Sequence, residues 1–387
     1  MRSTRTSRRR GVSLAAVAAG LAAVAACSPP SSSSSSTSNS GSGGASAATA
    51  TSAQDLGGLS ALETAANKEG ALNVIALPPD WANYGAILDA FKKKYPQIKV
   101  TSAQPDASSK DEINAANTLK GQPNAPDVFD LGQAVAASNT AVFAPYKVAT
   151  WNDIPDNLKD ASGTWVNDYG GAMSIGYNAK VVPAPATVAD LLKPAYKGKV
   201  ALNGDPTAAG AAFSGVVMAS LGNGGSADDI SKGVDFFKQL KAAGNFLPVD
   251  PTPATIKAGQ TPVVIDWDYL NVAQGKSLAG TNIDWKEVVP QNAVLASYYV
   301  QAINKGAPHP AAARLWEEFL YSDQGQNLWL AGGARPVRLE AMTKAGTVDK
   351  TALAALPKLT GTPVILTQEQ SDKAAAFLKD NWSKSIG

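Results

Sequence analysis

The chain has 387 residues, with 34 lysines and arginines, 32 aspartates and glutamates, one histidine and one cysteine. The length allows two domains or one large α/β unit. One histidine excludes HExxH and other histidine-cluster zinc sites, one cysteine excludes an intrachain disulfide, and the mature part has no basic stripe to hold nucleic acid.

Arg2, Arg5, Arg8, Arg9 and Arg10 form a basic opening, and Gly11 to Ala26 is uncharged and mostly apolar. That order reads as a secretory signal over residues 1–26, too short to span a membrane. Val24-Ala25-Ala26-Cys27 closes it and resembles the lipobox of bacterial lipoproteins. The resemblance implies that Cys27 is lipidated and that the protein is extracytoplasmic, anchored to the outer face of the cell membrane. Ser28 to Gln54 is a Ser/Gly/Ala/Thr tract without charge or large aliphatic residue, so residues 27–55 read as a disordered tether. A coil of that length spans roughly 30 Å. Losing the five signal arginines leaves 29 basic residues against 32 acidic ones, a net charge of −3.

The folded part then alternates strands and helices. Ala71 to Leu77 is a short apolar strand. Tyr84, Ile87, Leu88, Phe91 and Tyr95 form one helical stripe. Ile98 to Ala103 returns as a strand, "PDVFDLG" runs from a strand into a loop at Asp130, and Gly171 to Asn178 is another strand. "GKVALNGDP" and "PVVIDWDY" each end a strand in a loop. Ala312, Leu315, Trp316, Phe319 and Leu320 share a helical face. Thr367 and Gln370 stand at capping-box spacing ahead of a last helix carrying Ala374, Phe377, Leu378 and Trp382. This alternation predicts an α/β protein with mostly parallel sheets. Ligands of such folds sit beyond the carboxyl ends of strands, which singles out Pro78–Tyr84, Asp130–Ala134, Asp205–Gly210 and Asp266–Tyr269.

Enzyme chemistry finds little support. His309 lies between prolines in "APHPAA" and reads as a surface-loop residue with no orienting partner nearby. There is no GxSxG elbow and no P-loop, and "GNGGSA" lacks dinucleotide-binding spacing. Asp266 and Asp268, two apart on a strand, stand roughly 6.6 Å apart on the same side, whereas glycosidase carboxylates flank a bond from opposite sides.

Five segments in order, "EGALNVIALPPDWANYGAILDAFKKKYPQIKV", "PDVFDLGQ", "GAMSIGYNAKVV", "DLLKPAYKGKVALNGDPTAAGAAF" and "GQTPVVIDWDYLN", lead to "SYYVQAINKGAPHPAAARLWEEFLYSDQGQNLWLAGGARPVR". This series resembles the extracellular solute-binding proteins of bacterial ABC importers, of the two-lobed type with polyamine, iron(III), thiamine and phosphonate binders. The resemblance implies an α/β fold of two lobes, each a mostly parallel sheet flanked by helices, with a ligand cleft between them. Residues 56–166 and 298–334 would form lobe 1, and residues 167–297 and 335–387 lobe 2. The hinge would lie near Trp165–Gly170 and Ser297–Gln301. No enzymatic activity, cofactor or resident metal is implied. The partners implied are a small-molecule solute and the permease and ATPase subunits of an importer, with the protein itself a monomer.

The resemblance also points to site residues. Trp81 and Tyr84 are similar to first-lobe aromatics that line the ligand, although Tyr84 also starts a helical stripe. Asp130 is a cleft carboxylate or a turn residue. Asp205 and Pro206 fit an N-cap and first helical position, and the free N–H groups of Thr207, Ala208, Ala209 and Gly210 would then bind an anion. Tyr299 faces the cleft while Tyr298 packs in a lobe. Trp267 is expected as an aromatic wall, with Asp268 as its charge partner or as a helix cap. The aromatic set with its carboxylates suits a small organic cation such as a polyamine, ahead of an organic anion, with Fe(III) third. A lipid-anchored surface protein without a transport role is the reading from another class.

Overall fold

The structure, a computed structural model, describes residues 46–360 and 362–387. The expected signal segment, Cys27 and the tether as far as residue 45 lie outside the described residues. No helix among the described residues is long and apolar enough to cross a membrane.

The strands are β1 (Ala71–Ile75), β2 (Lys99–Ala103), β3 (Val128–Gly132), β4 (Phe143–Ala144), β5 (Val166–Asn178), β6 (Val200–Leu202), β7 (Val263–Trp267), β8 (Trp285–Val288), β9 (Ala296–Asn304) and β10 (Arg335–Pro336). Helix α1 (Leu59–Glu69) precedes β1, and α2 (Tyr84–Lys94), α3 (Ser109–Thr118) and α4 (Gln133–Ser138) lie between the first four strands. Later come α5 (Gly210–Gly222), α6 (Ser231–Ala242), α7 (Pro253–Lys257) and α8 (Asp268–Ser277). The chain closes with α9 (Pro310–Leu320), α10 (Asp323–Ala331), α11 (Leu339–Ala345), α12 (Lys350–Ala354) and α13 (Gln368–Ile386).

Two pairings are parallel, β1 with β2 and β6 with β7; the pairings of β3, β4, β5, β8, β9 and β10 are antiparallel. The expectation of mostly parallel sheets is corrected here. Its cause is β5, a wholly buried strand that serves two regions in succession. From Val166 to Ala172 it pairs with β9, and from Met173 it pairs with β7 and β8. Within the β9 pairing the register shifts between Asn167 and Gly170, just ahead of the handover. Gly171 is required there, because a Cβ would come within 2.6 Å of the Asp268 carboxylate and of the Tyr269 ring.

The apolar stripe of α2 is buried as its period predicts, with Tyr84, Ile87, Leu88, Phe91 and Tyr95 all in the core. Phe91 meets Trp316 and Phe319 of α9 edge-on, at 5.1 and 5.5 Å between ring centroids. Burying a side chain of this size contributes about 1.5–3 kcal/mol. The capping box of α13 is present, Thr367 Oγ1 accepting from Gln370 N–H and the Gln370 amide oxygen accepting from Thr367 N–H. Trp382 of α13 then packs on Phe237 of α6.

Two expectations change. The tether does not extend to residue 55: from Ser46 the chain is docked, with Ala50 and Ala53 buried. Arg314 of α9 donates Nε to Ala50 O at 2.8 Å and Nη2 to Ala48 O at 3.2 Å. Backbone carbonyls carry this attachment, so side-chain composition cannot report it. His309 is not a free loop residue. Its Nδ1 lies 2.9 Å from Asp127 Oδ2 and its N–H donates to Asp127 Oδ1, which ties the start of α9 to the residue just before β3.

Candidate functional site

The loops after β1, β2 and β6, with β3, β7 and the helices α7 and α8, border a cleft of 620 Å³. Such a volume fits a small molecule. The backbone is strained beside it. Among the described residues, Ala76, Ala82, Asn83 and Gln104 are the non-glycine positions with positive φ, from 43° to 69°. All four lie in the loops that follow β1 and β2. Strain of this kind clusters at binding sites.

Charge is the cleft's dominant property. Asp80, Asp106, Asp111, Glu112, Asp130, Asp205, Asp250 and Asp266 line it, and no lysine, arginine or histidine does. Burial pushes the Asp130 carboxyl up to about 7, and likewise that of Asp266. Glu112 is raised well above its ordinary range by burial and then by the neighbouring Asp130 charge. Counting these three as neutral still leaves five carboxylates. Helices α3, α5, α7 and α8 begin at the cleft, each offering roughly half a positive charge, so the sum stays negative.

The wall begins at α3. Ser108 and Asp111 form its capping box, which places Glu112 in the first turn, pointing under β3. Glu112 Oε2 accepts the Asp130 N–H at 3.0 Å. Asp130 Oδ2 accepts the Tyr169 hydroxyl at 2.9 Å, and the Tyr169 oxygen accepts the Trp81 indole N–H at 2.7 Å. Tyr299 stacks on Tyr169, at 5.5 Å and 2° between planes, and meets Trp81 edge-on at 5.6 Å. Across the cleft, Asp266 Oδ2 accepts from Asn203 Nδ2 at 2.9 Å and Oδ1 from the Trp267 N–H.

Of the sequence-predicted residues, the structure brings Trp81, Asp130, Asp205, Ala208, Gly210 and Tyr299 to this cleft. Tyr84 is not among them. It is fully buried, accepts from Gln301 Nε2 at 3.0 Å and packs on Tyr169 and Trp329, so its place in the helical stripe prevails. Trp267 is also absent from the cleft wall. It is 2% exposed, lies parallel to Tyr269 and abuts Tyr299 edge-on, supporting Tyr299 from behind. Asp268 is buried against Arg335 at 2.6 Å and accepts the Ala172 and Tyr269 N–H groups, which leaves it no free charge. It is the first residue of α8, and Trp267 is the N-cap.

Asp205 is not a helix cap, because α5 begins five residues later at Gly210 with Ala209 as N-cap. Asp205 closes a turn on itself. Its carboxylate accepts the Thr207 N–H and hydroxyl, and its carbonyl accepts the Ala208 and Ala209 N–H groups. Three of the four N–H groups expected to hold an anion are thus already engaged.

A second cavity, of 1010 Å³, shares Asp205, Ala208 to Gly210 and Tyr299 with the cleft and adds Thr207, Trp267 and residues of α13. Between the two, Gly132 and Gly210 meet backbone to backbone. A Cβ on either would come 3.2 Å from the other's Cα.

Glu112, Asn203 and Tyr169 are the residues that sequence reasoning missed. The signal for Glu112 was the Ser108-x-x-Asp111 box just ahead of it. Asp266 lies in a loop that the strand ends single out, and of Asp266, Trp267 and Asp268 it is the one that lines the cleft. Among the described residues no group of three or more His, Cys, Asp or Glu side chains is arranged to hold a metal ion.

A family model described as "Bacterial extracellular solute-binding protein" matches residues 126–358. No curated protein matches the chain. Among solved structures, iron-bound HitA from Pseudomonas aeruginosa is similar over 82% of this chain and 99% of its own, with 20% identity and a TM-score of 0.59. AfuA from Actinobacillus pleuropneumoniae, with fructose-6-phosphate bound, covers 82% and 98%, with 18% identity and a TM-score of 0.65. AgtB from A.tumefacien R10, in complex with agropinic acid, covers 82% and 98%, with 17% identity and a TM-score of 0.65. At these identities the likeness establishes the fold, that of the two-lobed periplasmic binding proteins.

Proposed function

Because the chain belongs to the bacterial extracellular solute-binding proteins, the substrate-binding components of ABC importers, we propose that its acidic cleft captures a small organic cation. The observation that carries this reading is the lining: eight carboxylates and no basic side chain. Trp81 and Tyr299 add aromatic faces, to which an ammonium group is drawn. Proteins of the same fold hold iron, a sugar phosphate or agropinic acid, so the fold does not choose the solute. The charge of the wall favours the cation over an organic anion.

In this reading the folded part divides into residues 56–166 with 298–334 and residues 167–297 with 335–387. The two halves close about β5 and β9, and the closed form is handed to the permease and ATPase subunits. Trp81, Asp130 and Tyr299 contact the solute. Cys27 carries the lipid that holds the monomer at the outer face of the membrane.

A thermal-shift and native mass-spectrometry screen of amines, carboxylates, phosphonates and Fe(III) tests the proposal. Saturable binding of an amine supports it. Saturation by a carboxylate or phosphonate, with no amine bound, overturns it.

A further inference from the structure

Away from the cleft, three buried carboxylates have close partners. Asp268 takes Arg335, Asp127 takes His309, and Glu318 takes the Tyr146 hydroxyl and the Ala149 N–H. Glu112 and Asp130 differ. Each spends one oxygen inside the protein, Glu112 Oε2 on the Asp130 N–H and Asp130 Oδ2 on the Tyr169 hydroxyl. The other two, Glu112 Oε1 and Asp130 Oδ1, are buried with no partner at hydrogen-bond distance, and the Tyr84 hydroxyl and the Asp168 carboxyl are the next polar groups beside Asp130. The residues are 1% and 5% exposed, and both line the cleft. Neither has a basic partner within ion-pair distance among the described residues. Buried acceptors are rarely left unmade, because the lost hydration is not repaid. Two such oxygens lining one binding cleft are, once ionised, acceptors for donors brought from outside the chain.

We propose that Glu112 and Asp130 form the seat for the solute's head group, and that this head is a cation bearing N–H donors, a primary ammonium or an amidinium, rather than a quaternary ammonium. The inference rests on the reading of the cleft as a cation site and sharpens it. Attraction to the wall and to the Trp81 and Tyr299 rings admits any organic cation. The unpaired oxygens are more selective. A primary ammonium offers three N–H groups, enough to meet both oxygens. The methyl shell of a quaternary nitrogen would leave both unmade and exclude water from them. The Trp81–Tyr169–Asp130 chain of hydrogen bonds fixes which oxygen of Asp130 remains for the ligand.

The test is isothermal titration of the full chain with two matched pairs. One pair is 1,4-diaminobutane and its bis(trimethylammonium) counterpart; the other is benzylamine and benzyltrimethylammonium. Charge and carbon skeleton are kept within each pair, and the N–H groups are lost. In at least one pair the N–H cation should bind about 100-fold tighter, as expected where buried polar groups would be left unpaired. Glu112→Gln, checked for native circular dichroism, should reduce that ratio at least tenfold, and Asp130→Asn serves if it fails to fold. The wild-type comparison needs neither variant. Equal binding within both pairs, or tighter binding of the quaternary members, overturns the seat and leaves the cation reading standing. Binding of neither kind of cation, with saturation by a carboxylate or phosphonate, removes both.

Discussion

Arg335 Nη1 meets Asp268 Oδ2 at 2.6 Å, and the carboxylate it meets is wholly buried. Arg335 lies on β10, which pairs with β5, while Asp268 opens α8 immediately after β7. The ion pair therefore ties the segment after α10 to the start of α8. Breaking a buried pair from one side leaves an uncompensated charge. Arg335→Met should cost about 3–5 kcal/mol in urea denaturation. The double variant Arg335→Met/Asp268→Asn should recover part of that loss, because the stranded charge is gone. A double variant no more stable than the single one would contradict this account.

Trp81 and Trp267 should part company on substitution. Trp81 is half-buried on the cleft wall, whereas Trp267 is buried behind Tyr299. Trp267→Ala should lower stability by about 3–5 kcal/mol, the usual cost of emptying a large buried site. Trp81→Ala should weaken solute binding at least tenfold with a smaller loss of stability. Chemical denaturation and titration on the same preparations separate the two.

The cleft carboxyls make both stability and affinity depend on pH, with opposite signs. Asp130 and Asp266 titrate near 7 when folded, raised by burial, against about 4 in an unfolded chain. A raised carboxyl favours folding fully below the unfolded value, and that contribution is lost as pH climbs through 7. The empty protein should therefore melt at a falling temperature between about pH 4 and 7 on account of these groups. A cation needs the ionised carboxylates, so its affinity should rise over the upper part of the same range, up to about tenfold per pH unit for each proton displaced. Titrations at several pH values check the slope. A pH-independent affinity from 5.5 to 8 would contradict the placement of these groups.

Gly132 and Gly210 touch through their backbones, and a side chain on either would hold the two walls apart. Gly210→Val should weaken solute binding by about tenfold or more, through failure to close rather than loss of a contact. Small-angle scattering should show the wild type contracting on ligand addition and the variant unchanged.

Local pattern exposed some elements and hid others. The stripe of α2 and the capping box of α13 are stated by neighbouring residues, and both stand as expected. The two-lobed α/β class was legible in the order of segments. The direction of the sheets was not, because β5 takes partners from both halves of the chain. Asp205-Pro206 misleads because the same residues that start a helix also close a short turn, and here the turn comes first. His309 meets Asp127 from 182 residues away, beyond any local reading. The acidic wall is hidden for the same reason: its eight carboxylates are scattered from Asp80 to Asp266, and only folding assembles them. At "VIDWDY" the strand stops at Trp267, which turns Asp266 to the cleft and buries Asp268.

The cleft's unbalanced carboxylates act before any solute arrives. Their potential, focused by the low-dielectric walls, draws cations from beyond contact distance and can raise encounter rates by roughly 10- to 1000-fold at low ionic strength. Salt shortens that reach to about 8 Å at 0.15 M. Arrival is then fast and nearly indifferent to which cation comes. Discrimination falls to departure, since a guest that leaves the buried oxygens unsatisfied escapes before the walls close, and the selectivity of capture is written in residence time.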